Sequence, residues 1–433
     1  MDFPYSNLAH AFVKIAMKHI TRSFLLVLFL LLTGACAKVE PVQRAESTTT
    51  PLSKETEGAE DPTLICVSVS EIPVSECNAL VEFYLHTDGA NWIMNKEEWV
   101  DKDLWLTTNT PCSWAGMHCD SGYITKLNIS LNGLSGEIPS EIGDLSYLAI
   151  LNLSDNELRN VPPEIGRLSK LIELNLGFNK LNSLPAEISN LTSLTVLYLA
   201  GNDLDSIPEI GNLTNLTEIY LAENNLSEMP TGISNLIGLA RLDLHQNELS
   251  SVPPEFGSLL NLEYLRLKNN HINNLPAEIG DLTNLTELDL SENELNSLPP
   301  EIGNLSKLVY LYLSNNCLLN LPPEIGNLMN LSELYLDGNS LSNMPSEIEN
   351  LTSLNSLYLS NNDLNSLPPE IGNLTNLVLL YLDGNNLSGL PSEIRNLTNL
   401  SEIWLVDNDM TKLSPEICAV FAKIVFPQSL CEY

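Results

Sequence analysis

Leu285-Thr286-Glu287-Leu288-Asp289-Leu290-Ser291-Glu292-Asn293-Glu294-Leu295 is one copy of a phrase that recurs through the chain, L-x-x-L-x-L-x-x-N-x-L. A turn follows, and then Leu298-Pro299-Pro300-Glu301-Ile302-Gly303-Asn304-Leu305, whose counterpart accompanies most other copies. The Asn of the phrase stands at 132, 156, 179, 202, 224, 247, 270, 293, 316, 339, 362, 385 and 408. These thirteen copies are 23 residues apart, save one interval of 24 and one of 22. Chance does not hold thirteen asparagines in such register. In L-x-L the two Leu alternate with an outward residue, the mark of a strand with one buried face. One such unit cannot bury its own leucines, so the units must stack, strand beside parallel strand. The Asn falls where the chain leaves the strand and turns inward. There its amide can satisfy backbone groups that have no other partner. In the second half of the unit Pro opens a short helical turn and Glu suits its N-terminal end. Ile302 and Leu305 then share a core-facing side. The 22-residue interval drops a residue at Ile207-Pro208-Glu209-Ile210, on the loop side, and should leave the sheet intact.

The phrase resembles the leucine-rich-repeat family over about two-thirds of the chain. The resemblance implies an α/β solenoid over residues 124–413: a curved parallel sheet on the concave side, short helices or 3-10 turns on the convex side, and capped ends. The first unit, Leu134-Ser135-Gly136-Glu137-Ile138-Pro139, has the L-x-G-x-I-P form typical of plant receptor repeats. Upstream, Asn91-Trp92, Trp99, Trp105 and Pro111-Cys112-Ser113-Trp114-Ala115-Gly116-Met117-His118-Cys119 resemble the N-terminal cap of those receptors and of related bacterial surface proteins. Residues 63–123 are therefore expected to seal the first repeat and close the sheet edge. The alternative for the four Trp is a carbohydrate platform. At the other end, Ser414-Pro415-Glu416 begins a helix by capping rules. Ile417, Phe421, Ile424 and Val425 then share one face, so 414–433 reads as the C-terminal plug.

The N-terminus reads as an export signal. Lys14, Lys18 and Arg22 precede an apolar run from Phe24 to Leu32, too short for the ~20 residues that span a bilayer. Met17 begins a tidier signal than Met1. Thr33-Gly34-Ala35-Cys36 closes a string that resembles a bacterial lipoprotein box, with Thr33 where Leu is usual and Cys36 as the lipidated residue. The competing reading is cleavage after Ala37, which would release a secreted protein. Residues 37–62, rich in Thr, Ser, Glu and Pro, form a flexible linker. Of the eight cysteines, Cys66, Cys77, Cys112 and Cys119 precede the repeats and Cys418 and Cys431 follow them, while only Cys317 falls within the array. The pairs expected are Cys66 with Cys77, Cys112 with Cys119 and Cys418 with Cys431, although sequence does not fix connectivity. Bridges at the two ends fit an oxidising compartment.

Charge narrows the partners. With 20 Lys and Arg against 55 Asp and Glu, the formal net charge is −35. Such a surface repels phosphate backbones and anionic headgroups, so neither nucleic acid nor a bilayer surface is expected as partner; contact with a membrane would come only through the lipid anchor. No phosphate-cradling Gly loop, H-E-x-x-H, C-x-x-C or G-x-S-x-G occurs, and no cofactor, metal or catalytic residue is expected.

A ligand would meet the concave face, which thirteen strands at ~4.8 Å extend to about 60 Å. The residue between the two strand leucines runs Asn128, Asn152, Asn175, Tyr198, Tyr220, Asp243, Arg266, Asp289, Tyr312, Tyr335, Tyr358, Tyr381 and Trp404. The five aromatics at the end are either a contact stripe or rings stacking on their neighbours in favourable strands. In the middle, Arg241, Arg266 and Lys268 converge on repeats six and seven, with His245 and His271 beside them and Asp243 and Asp289 one strand from Arg266. This group is either a docking spot for an acidic group or a ladder of ion pairs satisfied among themselves. Two functions fit: a non-enzymatic recognition module that binds a protein or a glycan, or a structural protein that associates with itself. The sequence does not fix the oligomeric state.

Overall fold

One sheet of fourteen strands runs through the described residues, 62–93, 105–421 and 428–431, of this computed structural model. All of them belong to the unit Thr50–Tyr433. The signal, Cys36 and most of the linker lie outside the described residues. The first strand, β1 (Met117–Asp120), runs antiparallel to β2 (Tyr123–Asn128). From β2 onward every pairing is parallel, through twelve strands of three residues that end at Glu402–Trp404. Register is simple: Leu288 lies level with Leu265 on one side and Leu311 on the other. Each unit's leucines thus pack on those of the units beside it, and Leu285, Leu288, Leu290 and Leu295 are all fully buried. At roughly 1.5–3 kcal/mol for each such side chain, that stacking is the main favourable term.

The convex side is a row of 3-10 turns, such as Pro300–Asn304 and Pro323–Asn327, both entered through a Pro in extended conformation; Ile233–Asn235 is entered through the left-handed Gly232 instead. They pack so closely that a Cβ at Gly303 would collide with the carbonyl oxygen of Glu324 in the next turn. The shortened unit at Ile207–Ile210 has lost its 3-10 turn, yet Val196 still pairs with Glu218 across it. The deletion is absorbed on the loop side, as the sequence suggested.

The ladder asparagines bind the turns together. Asn293 is buried; its Nδ2 donates to the carbonyls of Leu267 (2.9 Å), Leu290 (3.1 Å) and Ser291 (3.2 Å), and its Oδ1 accepts the N–H of Ile272 (3.0 Å). Leu267 and Ile272 belong to the preceding repeat. The same set recurs at Asn316, Asn339, Asn362 and Asn385. Immediately before each of the thirteen asparagines the backbone is left-handed, with φ between 53° and 69°. Only three of those positions are Gly, and Phe178 is among the others, a conformation that costs about 1–2 kcal/mol in an L residue.

Both ends are closed. Helix α1 (Val74–His86) is tied by Cys66–Cys77 (Cα–Cα 5.6 Å), and Cys112–Cys119 (5.5 Å) links the approach to β1 with β1 itself. Trp92, Trp105 and Trp114 are buried among Phe83 and Tyr84, with Trp92 and Trp105 ring centroids 4.9 Å apart. Their indole N–H groups donate to Thr87 O, Ala115 O and Thr108 Oγ1. These three are core and not a carbohydrate platform; Trp99 lies outside the described residues. Glu76 of α1 is buried and its Oε2 accepts the N–H of Ile124 (2.9 Å), which joins the cap to the first repeat strand. At the far end α2 (Pro415–Phe421) buries Ile417 and Phe421 against the last repeat, with Cys418 bonded to Cys431. Ile424 and Val425 lie outside the described residues.

Asn293→Ala should destabilise the fold by about 2–3 kcal/mol, because it strands a buried N–H and carbonyl while removing little contact area. Asn408→Ala, at a half-buried site in the last repeat, should cost about 1 kcal/mol or less. Urea unfolding of the two variants checks the contrast, and equal midpoints would count against the ladder's role.

Candidate functional site

Three side chains of each strand turn to the open face: the residue before the first strand leucine, the one between the two, and the one after the second. In repeat eight these are Glu287, Asp289 and Ser291. The between-leucine column stands where the sequence put it, from Asn128 to Trp404. Of the column before it the sequence singles out Arg241 alone, although period-two alternation places Tyr264, Glu287, Glu333 and Glu402 on the same face.

That column decides the chemistry of the middle zone. Arg266 is level with Asp243 and Asp289 in the backbone register, yet its guanidinium reaches past them to Glu287 of the next repeat. Nε and Nη2 lie 3.0 and 2.8 Å from Glu287 Oε1. Asp243 is taken by His245, whose Nδ1 lies 2.7 Å from Oδ1, and Asp289 accepts the N–H of Ser291 (3.0 Å). Lys268 meets Glu292 at 3.0 Å. His271 sits between Glu248 (2.9 Å) and Glu294 (3.3 Å) of the flanking repeats. Arg241 lies over the Tyr264 ring, 3.8 Å from its centroid. Arg241, Arg266, Lys268 and His271 therefore each have a partner contributed by another turn, whereas His245 has Asp243 of its own strand and, at 3.9 Å, Glu223 of the turn before. Exposed pairs of this kind each add ~0–1 kcal/mol. Between them His245, Gln246, Arg266, Lys268 and Asp289 line an open cleft of about 210 Å³.

In the aromatic zone the rings are stacked. Tyr312–Tyr335, Tyr335–Tyr358 and Tyr358–Tyr381 have centroids 4.7, 4.2 and 4.8 Å apart, and Tyr381–Trp404 6.1 Å, with the last three pairs within 16° of parallel. Those spacings follow the strand spacing, so the sheet itself builds the stack. Ring faces cover one another, and edges and hydroxyls remain for contact. Tyr335 Oη donates to Glu333 (2.6 Å) and Tyr381 Oη to Glu402 (3.2 Å), both from the column before the first leucine. Tyr198 and Tyr220 form a separate stacked pair at 4.5 Å.

Electrostatics follow from crowding of acids in a half-buried trough. Burial, together with the neighbouring Glu287 and Glu333, pushes the Tyr312 phenol up to about 12. Burial raises the carboxyls of Asp289, Asp337 and Asp383. The hydrogen bond that His245 donates to Asp243 holds its imidazole above the ordinary value against an opposing effect of burial. Among the described residues no cluster of His, Cys, Asp and Glu is arranged to hold a metal ion, and no helix is long and apolar enough to cross a membrane.

Comparison with known proteins points one way. A family model described as "Leucine-rich repeat region" matches residues 125–222, 254–339 and 323–422, more than half of the chain, and one described as "Leucine rich repeat" matches 214–272. A leucine-rich-repeat protein of Leptospira interrogans is similar at 39% identity and a TM-score of 0.57, over 66% of this chain and 80% of that one. The plant peptide hormone receptor RGFR1, solved in complex with RGF2, is similar at 35% identity and a TM-score of 0.63, over 69% of this chain and 50% of the receptor chain. A receptor-like protein kinase of Ipomoea nil is 37% identical over 73 residues, which is 15% of this chain and only 7% of the kinase.

Asp243→Asn should lower the His245 pKa, since burial then acts without the carboxylate. In the native chain the folded value is the raised one. The stability His245 contributes is therefore complete below the unfolded pKa of about 6.5 and is lost as pH rises through the folded value. Histidine-selective NMR titration of both proteins checks this, and an unchanged His245 midpoint would refute it.

Proposed function

Because the chain belongs to the leucine-rich-repeat family, we propose that it is an exported, non-enzymatic recognition module that holds a segment of another protein against the concave face of its sheet. One observation carries this reading. The convex turn Pro-Glu-Ile-Gly-Asn repeats without change at 300–304, 323–327 and 369–373. On the concave face of the same units the residue before the first strand leucine changes, Glu287, Tyr310 and Ser356, and the one between the leucines is Asp289 in the first unit and Tyr in the other two. What stacking needs is constant, and what a partner would meet varies. The plant peptide hormone receptor RGFR1, a structural neighbour, is solved in complex with RGF2.

A protein segment suits the aromatic zone better than a sugar chain. Sugars rest on aromatic faces, and here the facing sides of Tyr335, Tyr358 and Tyr381 cover one another, which leaves the exposed Trp404 at the end of the row as the ring with an open face. Edges, phenol oxygens and adjacent carboxylates suit a peptide's side chains and amides. Self-association is opposed by the net charge of −35, which sets like faces against each other. Catalysis is opposed by the openness of the cleft at His245, which does not exclude water. Export is supported by the disulfides that close both ends, and retention at the cell surface through Cys36 would follow from the signal.

A random peptide-display library panned against the full chain should yield segments that bind about tenfold or more weakly to Tyr358→Ala with Trp404→Ala, and unchanged to Lys307→Ala, whose side chain contacts Asn284 away from the open face. Equal binding to all three proteins would reject the concave face as the site. Arg266→Ala with Lys268→Ala asks the same of the middle cleft. Anchoring is read separately: labelled fatty acid should enter the native chain in a bacterial host and not Cys36→Ser, and equal labelling would exclude Cys36.

A further inference from the structure

The concave face changes character along its length. In the middle, cations and acids cancel across neighbouring turns: Arg266 with Glu287, Lys268 with Glu292. Beyond that point cancellation stops. The strand phrases at 309–318, 332–341, 355–364, 378–387 and 401–410 contain no Lys or Arg. Lys307 and Arg395 are the two cations between Asn293 and Thr411. Lys307 contacts Asn284, and Arg395 sits in a convex 3-10 turn.

The carboxylates of this stretch are held by neutral donors. Asp337 Oδ1 accepts the N–H of Ser360 (2.9 Å), and Asp383 Oδ1 accepts that of Val406 (2.7 Å). Glu333 and Glu402 take phenol hydroxyls. Hydrogen bonds of this kind fix the acids in place and leave their negative charge uncancelled, beside a continuous ribbon of ring edges.

Spacing adds a second constraint. Asp337 and Asp383 occupy one position in two strands with a third strand between them. The rings across those strands are 4.2 and 4.8 Å apart, so the two carboxylates recur at about 9 Å along the face. A polyproline II chain has three residues per turn and rises ~3.1 Å per residue, which puts positions i and i+3 on one side about 9 Å apart. A β-strand would turn i and i+3 to opposite sides. Polyproline segments also dock in aromatic-lined grooves because little entropy is lost in ordering them.

We propose that repeats nine to thirteen take a basic segment of a partner protein in polyproline-like conformation, with Lys or Arg at i and i+3 meeting Asp337 and Asp383 and the body of the segment lying along the Tyr335–Trp404 ring edges. This deepens the recognition reading above and rests on it.

The probe is a fluorescent peptide of four Pro-Pro-Lys units, read by anisotropy against the full chain at low and moderate salt. Two controls are four Pro-Pro-Glu units and four Pro-Pro-Pro-Lys units; the latter keeps the charge and shifts the spacing. The Pro-Pro-Lys peptide should bind about tenfold more tightly than the shifted one, with no binding of the acidic one. Asp337→Asn with Asp383→Asn should weaken it about tenfold, while Asp203→Asn with Asp205→Asn, two exposed acids off this stretch, should change it less than about twofold. Asn keeps the oxygen that accepts each backbone N–H, and thermal melting confirms that the fold is retained. Absence of binding, equal binding of the shifted peptide, or equal loss in both double variants overturns the proposal. If the display library instead yields non-basic segments that need Tyr358 and Trp404, this proposal falls and the recognition reading stands. If it yields none, both fall.

Discussion

The structure depends on a single demand: wherever the chain leaves a strand and dives under its neighbour, its buried N–H and C=O groups must find partners. Asn meets that demand because one amide offers two donors and an acceptor at short reach. Asn293 uses all of them, on carbonyls of its own turn and of the turn before. The left-handed residue ahead of each Asn is the geometric companion of this arrangement. It aims the amide inward, and the position admits Gly201, Asn269 and even Phe178. Local strain is accepted there because four hydrogen bonds and a buried leucine on either side over-determine the backbone.

With the interior settled in this way, the open face is free to vary, and it treats charge in two manners. In repeats six to eight, acids and bases alternate between turns and neutralise one another, which leaves a polar cleft of low net charge. In repeats nine to thirteen, tyrosines stack at the strand repeat and the acids keep their charge, held by phenols and backbone amides. The same parallel register produces both outcomes, since it sets like positions side by side; the residue type decides whether neighbours pair, stack or repel.

The solenoid, its thirteen units, the loop-side deletion at Ile207–Ile210 and the capped ends were legible because each rests on a period or on a local turn rule. The between-leucine column was legible for the same reason. The partner of Arg266 was not. Reading one column made Asp243 and Asp289 its natural neighbours, whereas a guanidinium on a long side chain reaches diagonally to Glu287, one strand on and two residues back. The same alternation that exposed Arg266 exposes Glu287, so the signal was available in the neighbouring column. The stacking of Tyr312 through Trp404 is one of two outcomes the sequence allows, because alternation fixes the face a ring stands on and not whether neighbouring rings lie face to face or splay apart. The row of left-handed residues had a broken sequence signature: Gly, Asn or Asp stands at eight of the thirteen positions, but Leu131, Phe178, Glu223, Gln246 and Glu292 are not residues that announce such a conformation.

The asparagine ladder also has a direction. Each amide reaches back to the turn before it, to Leu267 and Ile272 from Asn293, and never forward. A turn is therefore completed by the arrival of its successor. A chain emerging N-terminus first begins on a closed end, built from α1 and β1, and adds turns with only the newest one unfinished. Growth of this kind needs no distant segment to wait for, and a polypeptide cut short within the array would forfeit its last turn while those already laid down stayed whole.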